Sequence, residues 1–329
     1  MSKLVLIDGN AIMHRAYHAL PPLTTKRGEP INAVYGLISM LLRVIQDLKP
    51  THIAVAFDRK EPTFRHKEFP SYQAQRPPMD KDLSTQFEKA KEVFEAMNIP
   101  VFEKAGFEAD DVIGTLSSKA TEISNFQFPI SNKNSKEKTK YQSPVTSHQS
   151  LIDEIVIITG DRDILQLVDD KRKVKVYLPI RGLSDAKLMK ADDVIEKLGV
   201  KPVQIPDYKA LVGDQSDNYP GVSGIGPKTA INLLAKFGTL QKVYEHMDEI
   251  GDSTRKRLED GKNDAYLSLK LATIVRDVEL ENNLEKSNKW QVDNQQVLDL
   301  FSRFGFKTLT NRVKEVGKTI IDENQMKLI

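Results

Sequence analysis

Leu4-Val5-Leu6-Ile7-Asp8 sets four apolar residues before one acid, and this pattern decides the fold. So short and continuous an apolar run, closed by a polar residue, reads as a strand buried on both faces, the kind found in parallel sheets. The pattern returns as Ile53-Ala54-Val55-Ala56-Phe57 before Asp58, and as Ile155-Val156-Ile157-Ile158 before Thr159-Gly160-Asp161-Arg162-Asp163. Between the first two, residues 34–45 carry apolar side chains at helical spacing. Residues 3–58 therefore read as a βαβ unit, parallel and right-handed. Ligands of open parallel sheets bind beyond the carboxyl ends of the strands, and each of these strands delivers an acid to that edge.

Two further acidic clusters join them. Glu108-Ala109-Asp110-Asp111 follows a short strand near 99–102, and Asp214-Gln215-Ser216-Asp217 follows a helix near 205–212. The set of nine is Asp8, Asp58, Glu108, Asp110, Asp111, Asp161, Asp163, Asp214 and Asp217. Gathered at one place, such groups cannot all stay ionised at neutral pH without cations. A donor set of carboxylates alone favours hard ions, Mg²⁺ or Mn²⁺. It suits two ions about 3.5–4 Å apart, an arrangement that activates water against a phosphate ester. The six histidines are scattered and off ligand spacing. Ala191-Asp192-Asp193-Val194-Ile195 repeats the letters of residues 109–113 and acts as an internal control. Its acids read as ordinary first-turn residues favoured by the helix dipole. Arrival beside strand ends is what distinguishes the metal set.

The 329 residues are 40% apolar and 29% charged, enough for a sizeable core. The absence of cysteine excludes disulfides, thiolate metal sites and thiol nucleophiles. No apolar run approaches the roughly 20 residues a bilayer span needs. Met1-Ser2-Lys3 leads directly into a strand, so no signal peptide is expected and a cytoplasmic location is. The net charge of +2 includes the nine gathered acids, so the remaining surface is more basic than the total and suits a polyanionic substrate.

Residues 59–81 interleave Arg59, Lys60, Arg65, Lys67, Arg76 and Lys81 with Phe64, Phe69 and Tyr72. Prolines at 62, 70, 77 and 78 block a long helix, leaving a basic-aromatic segment able to grip a nucleic-acid strand by charge and stacking. A helix near 82–97 and another from 109 follow. Of the 27 residues 124–150, 18 are Ser, Thr, Asn, Gln or Lys, which reads as a disordered insertion. After a last alternating strand at 174–177 the pattern turns helical: 191–198, 205–212, 227–236, 239–247, 264–274 and 294–304. The tail from 317 is polar and carries no assignment. Gly221-Val222-Ser223-Gly224-Ile225-Gly226-Pro227-Lys228-Thr229 is a near miss for a nucleotide loop, because Pro227 interrupts Gly-Lys-Thr and no strand precedes it. A glycine-rich hairpin at a helix N-terminus, with Lys228 beside it, suits a duplex phosphate backbone.

These motifs closely resemble the 5′-nuclease family, which comprises the N-terminal domain of bacterial DNA polymerase I, phage 5′-exonucleases and flap endonucleases. The likeness runs to about residue 315. It is densest at Leu6-Ile7-Asp8-Gly9-Asn10, Val55-Ala56-Phe57-Asp58, Tyr72 to Met79, Glu108 to Gly114, Gly160 to Asp163 and Gly213 to Gly226. The resemblance implies an α/β fold with a mostly parallel central sheet and flanking helices, a PIN-like nuclease core, over 1–180. Within it the arch would span about 59–95. A helical duplex-binding subdomain with a helix–hairpin–helix-type clamp would cover 181–316. By the same resemblance the nine acids are metal ligands, and Arg15, Arg65, Tyr72 and Arg76 are substrate-gripping and arch residues. Gly221, Gly224, Gly226, Lys228 and Thr229 form the clamp, which in the family can also hold K⁺.

The family's lysine after the arch tyrosine is Gln73 here, so a lowered rate is expected, or another cation such as Lys67 in its place. Arg162 replaces a usual lysine, and the 124–150 insertion replaces a short loop. The implied function is a monomeric, Mg²⁺-dependent 5′-3′ exonuclease or flap endonuclease acting on branched or 5′-flap DNA and RNA–DNA primers. A DNA polymerase partner, or a polymerase module outside this chain, goes with it. The rival readings are an acidic-site ribonuclease of related fold and a branch-DNA binding factor of weakened activity.

Overall fold

The computed structural model describes residues 1–125, 152–181, 185–280 and 284–326. The insertion expected over 124–150 lies almost wholly outside them. Among the described residues six strands form one sheet: β1 (Lys3–Asp8), β2 (His52–Ala56), β3 (Val101–Phe102), β4 (Glu154–Ile158), β5 (Val174–Arg181) and β6 (Asp185–Met189). Their order is β3-β2-β1-β4-β5-β6, and every pair is parallel except the antiparallel β5–β6 hairpin. The chain leaves β1 in one direction for β2 and β3, then returns on its other side with β4. The crevice between β1 and β4 is therefore a topological switch point.

Alternation along the strands sorts the core into two layers. Leu4, Leu6, Ala54, Ala56, Ile155 and Ile157 face one side, while Val5, Ile7, Ile53, Val55, Val156 and Ile158 face the other. Burial of each larger aliphatic contributes about 1.5–3 kcal/mol. The second side is covered by α1 (Gly9–Ala19), α2 (Asn32–Leu48) and, past the short helices α3 (Phe64–Glu68) and α4 (Lys81–Ser84), by α5 (Gln86–Ala96). On the first side α6 (Ala109–Asn125) packs on β1 and β2, and the same core runs on into the helices that follow the sheet: α7 (Ala191–Leu198), α8 (Ile205–Val212), α9 (Pro227–Phe237), α10 (Leu240–Glu245), α11 (Asp252–Asp260) and α12 (Lys262–Ala272).

The last two helices, α13 (Gln295–Phe304) and α14 (Lys307–Met326), cross back to the second side. There Val297, Phe301, Leu309 and Val313 are buried with α2 and α5. Residues 292–316 thus pack with the α/β layer rather than with α7–α12, and the polar stretch from 317 continues α14 as helix.

Parity carries the sheet to the site. Asp8 continues the row Leu4, Leu6. Asp58 continues Ala54, Ala56, and Thr159 and Asp161 continue Ile155, Ile157. All three strands aim their terminal polar residues at the α6 side. Helix α1 begins at once after Asp8 because residue 9 is glycine: a Cβ there would lie 2.3 Å from the Phe57 ring.

Candidate functional site

Asp8 caps α1, accepting from the Ala11 amide at 2.9 Å through Oδ1 and from the Thr159 hydroxyl at 2.6 Å through Oδ2. Burial, with Asp58 and Asp161 nearby, pushes its carboxyl up to about 7 despite those bonds. Asp58 accepts from the Ala109 amide at 2.6 Å, which ties the end of β2 to the start of α6. Its carboxyl is raised too, by the protein crowded around it and by Asp111 and Asp161, although the residue keeps an edge open to solvent. Asp110 is raised well above the usual carboxylate range: desolvation acts first, then the charges of Asp161, Asp8, Glu108 and Asp163. Glu108 is held up near about 7 by burial, against the opposing pull of Arg65. The acids from β1, β2, α6 and the loop after β4 are thus electrostatic neighbours, as their positions in the sequence implied.

The fifth segment closes the cluster. Asp163, Asp214 and Asp217 can offer three carboxylate oxygens within 4.8 Å of one another. Lys209 of α8 stands among them, its ammonium bonded to Asp163 and, at 2.5 Å, to Asp214. Burial disfavours that charge, but Asp163 and Asp214 outweigh it and hold the lysine protonated. Asp214 responds in kind: burial works to raise it, yet Lys209 and Ser216 bring it below the usual carboxylate range. Asp163 remains raised to about 6, chiefly by burial. An ammonium between two acids is what a site built for cations accommodates when its cation is a side chain. Lys209 has no sequence signature beyond being a basic residue in the last turn of a helix. Nor does Thr159, which orients Asp8.

Two residues of the proposed set do other work. Asp111 is fully buried and both its oxygens are taken. Arg65 donates to them at 2.7 and 2.9 Å, and the amides of Glu108 and Val275 at 3.1 and 2.9 Å. It is not available as a metal ligand in this arrangement. Arg65, 2% exposed, also donates to the carbonyls of Leu271 and Thr273 and lies 3.5 Å from Glu108. It fastens α3, α6 and the end of α12 together and does not reach towards solvent to grip a substrate.

The arch segment lies down on the acids. Tyr72 is 3% exposed, with its hydroxyl 3.3 Å from both Glu108 and Asp217, so its ring is not offered for base stacking. Gln73 takes a left-handed backbone conformation, φ 55°. Its amide and side chain reach Asp217 at 2.9 and 3.2 Å. Arg76, half exposed, bonds Asp217 at 2.5 Å. It thus stands both at the acids and at the solvent. Lys67 is exposed on α3, and Arg15 lies half-buried on α1.

The hairpin departs from α8 at Gly213. A Cβ on Gly221, φ 63°, would lie 2.2 Å from the Gly213 nitrogen, so two backbones touch where only glycine fits. Gly224, Gly226 and Lys228 are exposed and Thr229 half-buried. The unpaired first-turn amides of α9 therefore open outward beside a cation, an arrangement that suits a phosphate. Arg257 braces the turn by donating to the Gly224 carbonyl at 2.8 Å. At the control position, Asp193 accepts from the Lys190 amide at 2.9 Å and pairs with Lys187, as a helix cap does.

Two family models match the chain: a 5′-3′ exonuclease N-terminal resolvase-like domain over residues 3–134 and a 5′-3′ exonuclease C-terminal SAM fold over 200–295. DNA polymerase I of Caldicellulosiruptor bescii is 40% identical over 311 residues, which cover 94% of this chain and 33% of that protein. DNA polymerase I of Bacillus subtilis is 37% identical over 314 residues, covering 95% and 32%. The chain spans about a third of the length of the curated relatives it matches. Among solved structures, T5 5′-exonuclease with bound divalent zinc ions aligns at TM-score 0.59 and 20% identity, covering 97% of this chain and 99% of that one. The catalytic core of Rad2 in complex with a DNA substrate aligns at 0.55 and 16%, covering 96% and 90%. At these identities the two structures speak for the fold alone. Among the described residues no helix is long and apolar enough to cross a membrane.

Proposed function

The chain belongs to the 5′-3′ exonuclease family, and from that premise we propose that it is a divalent-metal-dependent structure-specific 5′ nuclease. It hydrolyses phosphodiesters of DNA, and of RNA primers, near a 5′ single-strand/duplex junction, leaving a 5′-phosphate and a 3′-hydroxyl. The observation that carries this reading is the convergence of carboxylates from five chain segments, with Asp8, Glu108, Asp110 and Asp163 all raised by burial and mutual charge.

The donor set fits Mg²⁺ or Mn²⁺, in two sites, because every group is a hard oxygen. Asp8, Asp58, Glu108, Asp110 and Asp161 would hold one, and Asp163, Asp214 and Asp217 the other. Bound there, the ions would supply an activated water and charge stabilisation at the phosphate. The protein's own groups do the rest. Thr159 and the Ala11 amide fix Asp8, the Ala109 amide fixes Asp58, and Arg65 with Asp111 locks α6 in place. Arg76, at the solvent edge of Asp217, is placed to take a substrate phosphate, and Arg15 and Lys67 extend the basic approach. Gly224, Gly226, Lys228 and Thr229 hold the duplex backbone, with K⁺ as an added ligand of the hairpin, while the buried Gly221, its amide on Ser268, shapes the turn from behind.

In domain terms, the sheet through Met189 together with α13 and α14, rather than residues 1–180 alone, would form the nuclease layer, and α7–α12 the duplex-binding part. The protein acts as a cytoplasmic monomer, in concert with a DNA polymerase or as its module; a chain without cysteine suits that reducing compartment. Cleavage of a 5′-flap duplex compared with single-stranded RNA, each in Mg²⁺, tests the substrate class. Faster cleavage of the flap is expected, and a preference for the RNA would transfer the activity to a ribonuclease.

A further inference from the structure

The acid cluster contains one polar group for which the mechanism above has no use. Tyr219 is 3% exposed, and its hydroxyl is buried without a hydrogen-bond partner. Its direction follows from the backbone. Tyr219 and Asp214 face each other in an antiparallel bridge, exchanging bonds of 2.9 and 3.0 Å. Residues directly opposite in such a pair project to the same face. The phenol therefore leaves on the side of Asp214, its ring buried in one cluster with Tyr72, Leu271 and Ala272. Burial raises its pKa most, and Asp163, Asp214 and Asp217 raise it further while Lys209 opposes, which places the hydroxyl within their field.

An orphaned buried hydroxyl bears its whole desolvation cost with no compensating bond. Here the orphan stands beside three carboxylates that can offer oxygens to one ion. We propose that Tyr219 is a positioning residue of this second cation site, its hydroxyl serving as the hydrogen-bond partner of a hydrated divalent ion seated on Asp163, Asp214 and Asp217. Phenylalanine would preserve the packing on Tyr72 and lose only the bond. The proposal rests on the cation reading given above, and its test separates the two.

The test uses the full chain stripped with EDTA, in four forms: wild type, Tyr219→Phe, Asp214→Asn and the double variant. Each is melted in EDTA and in Mn²⁺, and Mn²⁺ affinity is read by calorimetry. In EDTA, Tyr219→Phe is expected to melt no lower than wild type, because the unpaired hydroxyl has gone. In Mn²⁺ its thermal gain should be smaller than that of wild type, and its affinity at this site about twofold to tenfold weaker, the worth of one hydrogen bond. In the Asp214→Asn background, Tyr219→Phe should change Mn²⁺ affinity no further. A lower melt in EDTA with an equal Mn²⁺ gain would mean a purely structural tyrosine and overturn the proposal. A wild type that gains nothing from Mn²⁺ would overturn the cation reading beneath it.

Discussion

Arg65 and Asp111 meet in a bidentate pair closed off from solvent, Nη1 to Oδ2 at 2.7 Å and Nη2 to Oδ1 at 2.9 Å. Removing one partner of such a pair strands the other charge in the interior, at a cost of about 3–5 kcal/mol. Arg65→Ala and Asp111→Asn are therefore expected to lower stability by that order in urea unfolding. Arg65→Lys should not rescue, because an ammonium cannot reproduce the fork. If Arg65 were an arm reaching for substrate, Arg65→Ala would unfold like wild type and lose only rate.

The pH dependence follows from the raised carboxyls. Asp8 and Glu108 titrate near about 7 in the fold, against 3.8 and 4.5 ordinarily, and Asp163 near about 6. Between those values the folded chain binds protons that the unfolded chain has released, so stability falls as pH rises. Their contribution is complete below the ordinary values and is lost as pH climbs through 6 to 7. The difference in melting temperature between Mg²⁺ and EDTA samples should therefore grow from pH 5 to pH 8. A difference independent of pH would disconnect these acids from the metal.

Lys209 bridges Asp163 and Asp214 where a divalent ion is expected to compete. Lys209→Met leaves two half-buried acids facing each other and should lower stability in EDTA, by less than the about 3–5 kcal/mol that breaking a fully buried pair costs. Mg²⁺ should then restore a larger share of stability than it adds to wild type. Parallel chemical denaturation of both proteins, with and without Mg²⁺, reads this directly.

Lys228 stands exposed beside the opening amides of α9. If it meets a duplex phosphate, Lys228→Ala should weaken binding alike for all sequences and reduce the salt slope of log K by about 1. Fluorescence anisotropy across a salt series measures it. An unchanged slope would move the duplex away from the hairpin.

The β1, β2 and β4 runs were legible because a strand buried on both faces is apolar at every position, and the acids at their ends follow from strand parity. Helix α11 was not, since Leu258 is its single buried residue and leaves no apolar stripe to detect. α1 escaped because its mixed composition follows a strand with no loop between, a junction that depends on Gly9 lying against Phe57. The α14 stretch shows Leu309, Val313 and Val316 at helical spacing, but its polar continuation carries no such mark. In the site, Asp110 and Asp111 are adjacent letters of one type. A helix turns successive side chains about 100° apart, sending one to the acids and the other to Arg65, and only the packed partner tells them apart. Arg65 and Tyr72 read as surface grips from composition; burial against the end of α12 and against Tyr219 reassigns them.

The most direct measurement is product formation from a 5′-labelled flap duplex, with binding followed in parallel in Ca²⁺. Cleavage near the junction is expected in Mg²⁺, none in EDTA, and none by Asp110→Asn, which should still bind the flap. A wild-type protein that binds the flap in Ca²⁺ yet leaves it intact in both Mg²⁺ and Mn²⁺ would contradict this expectation.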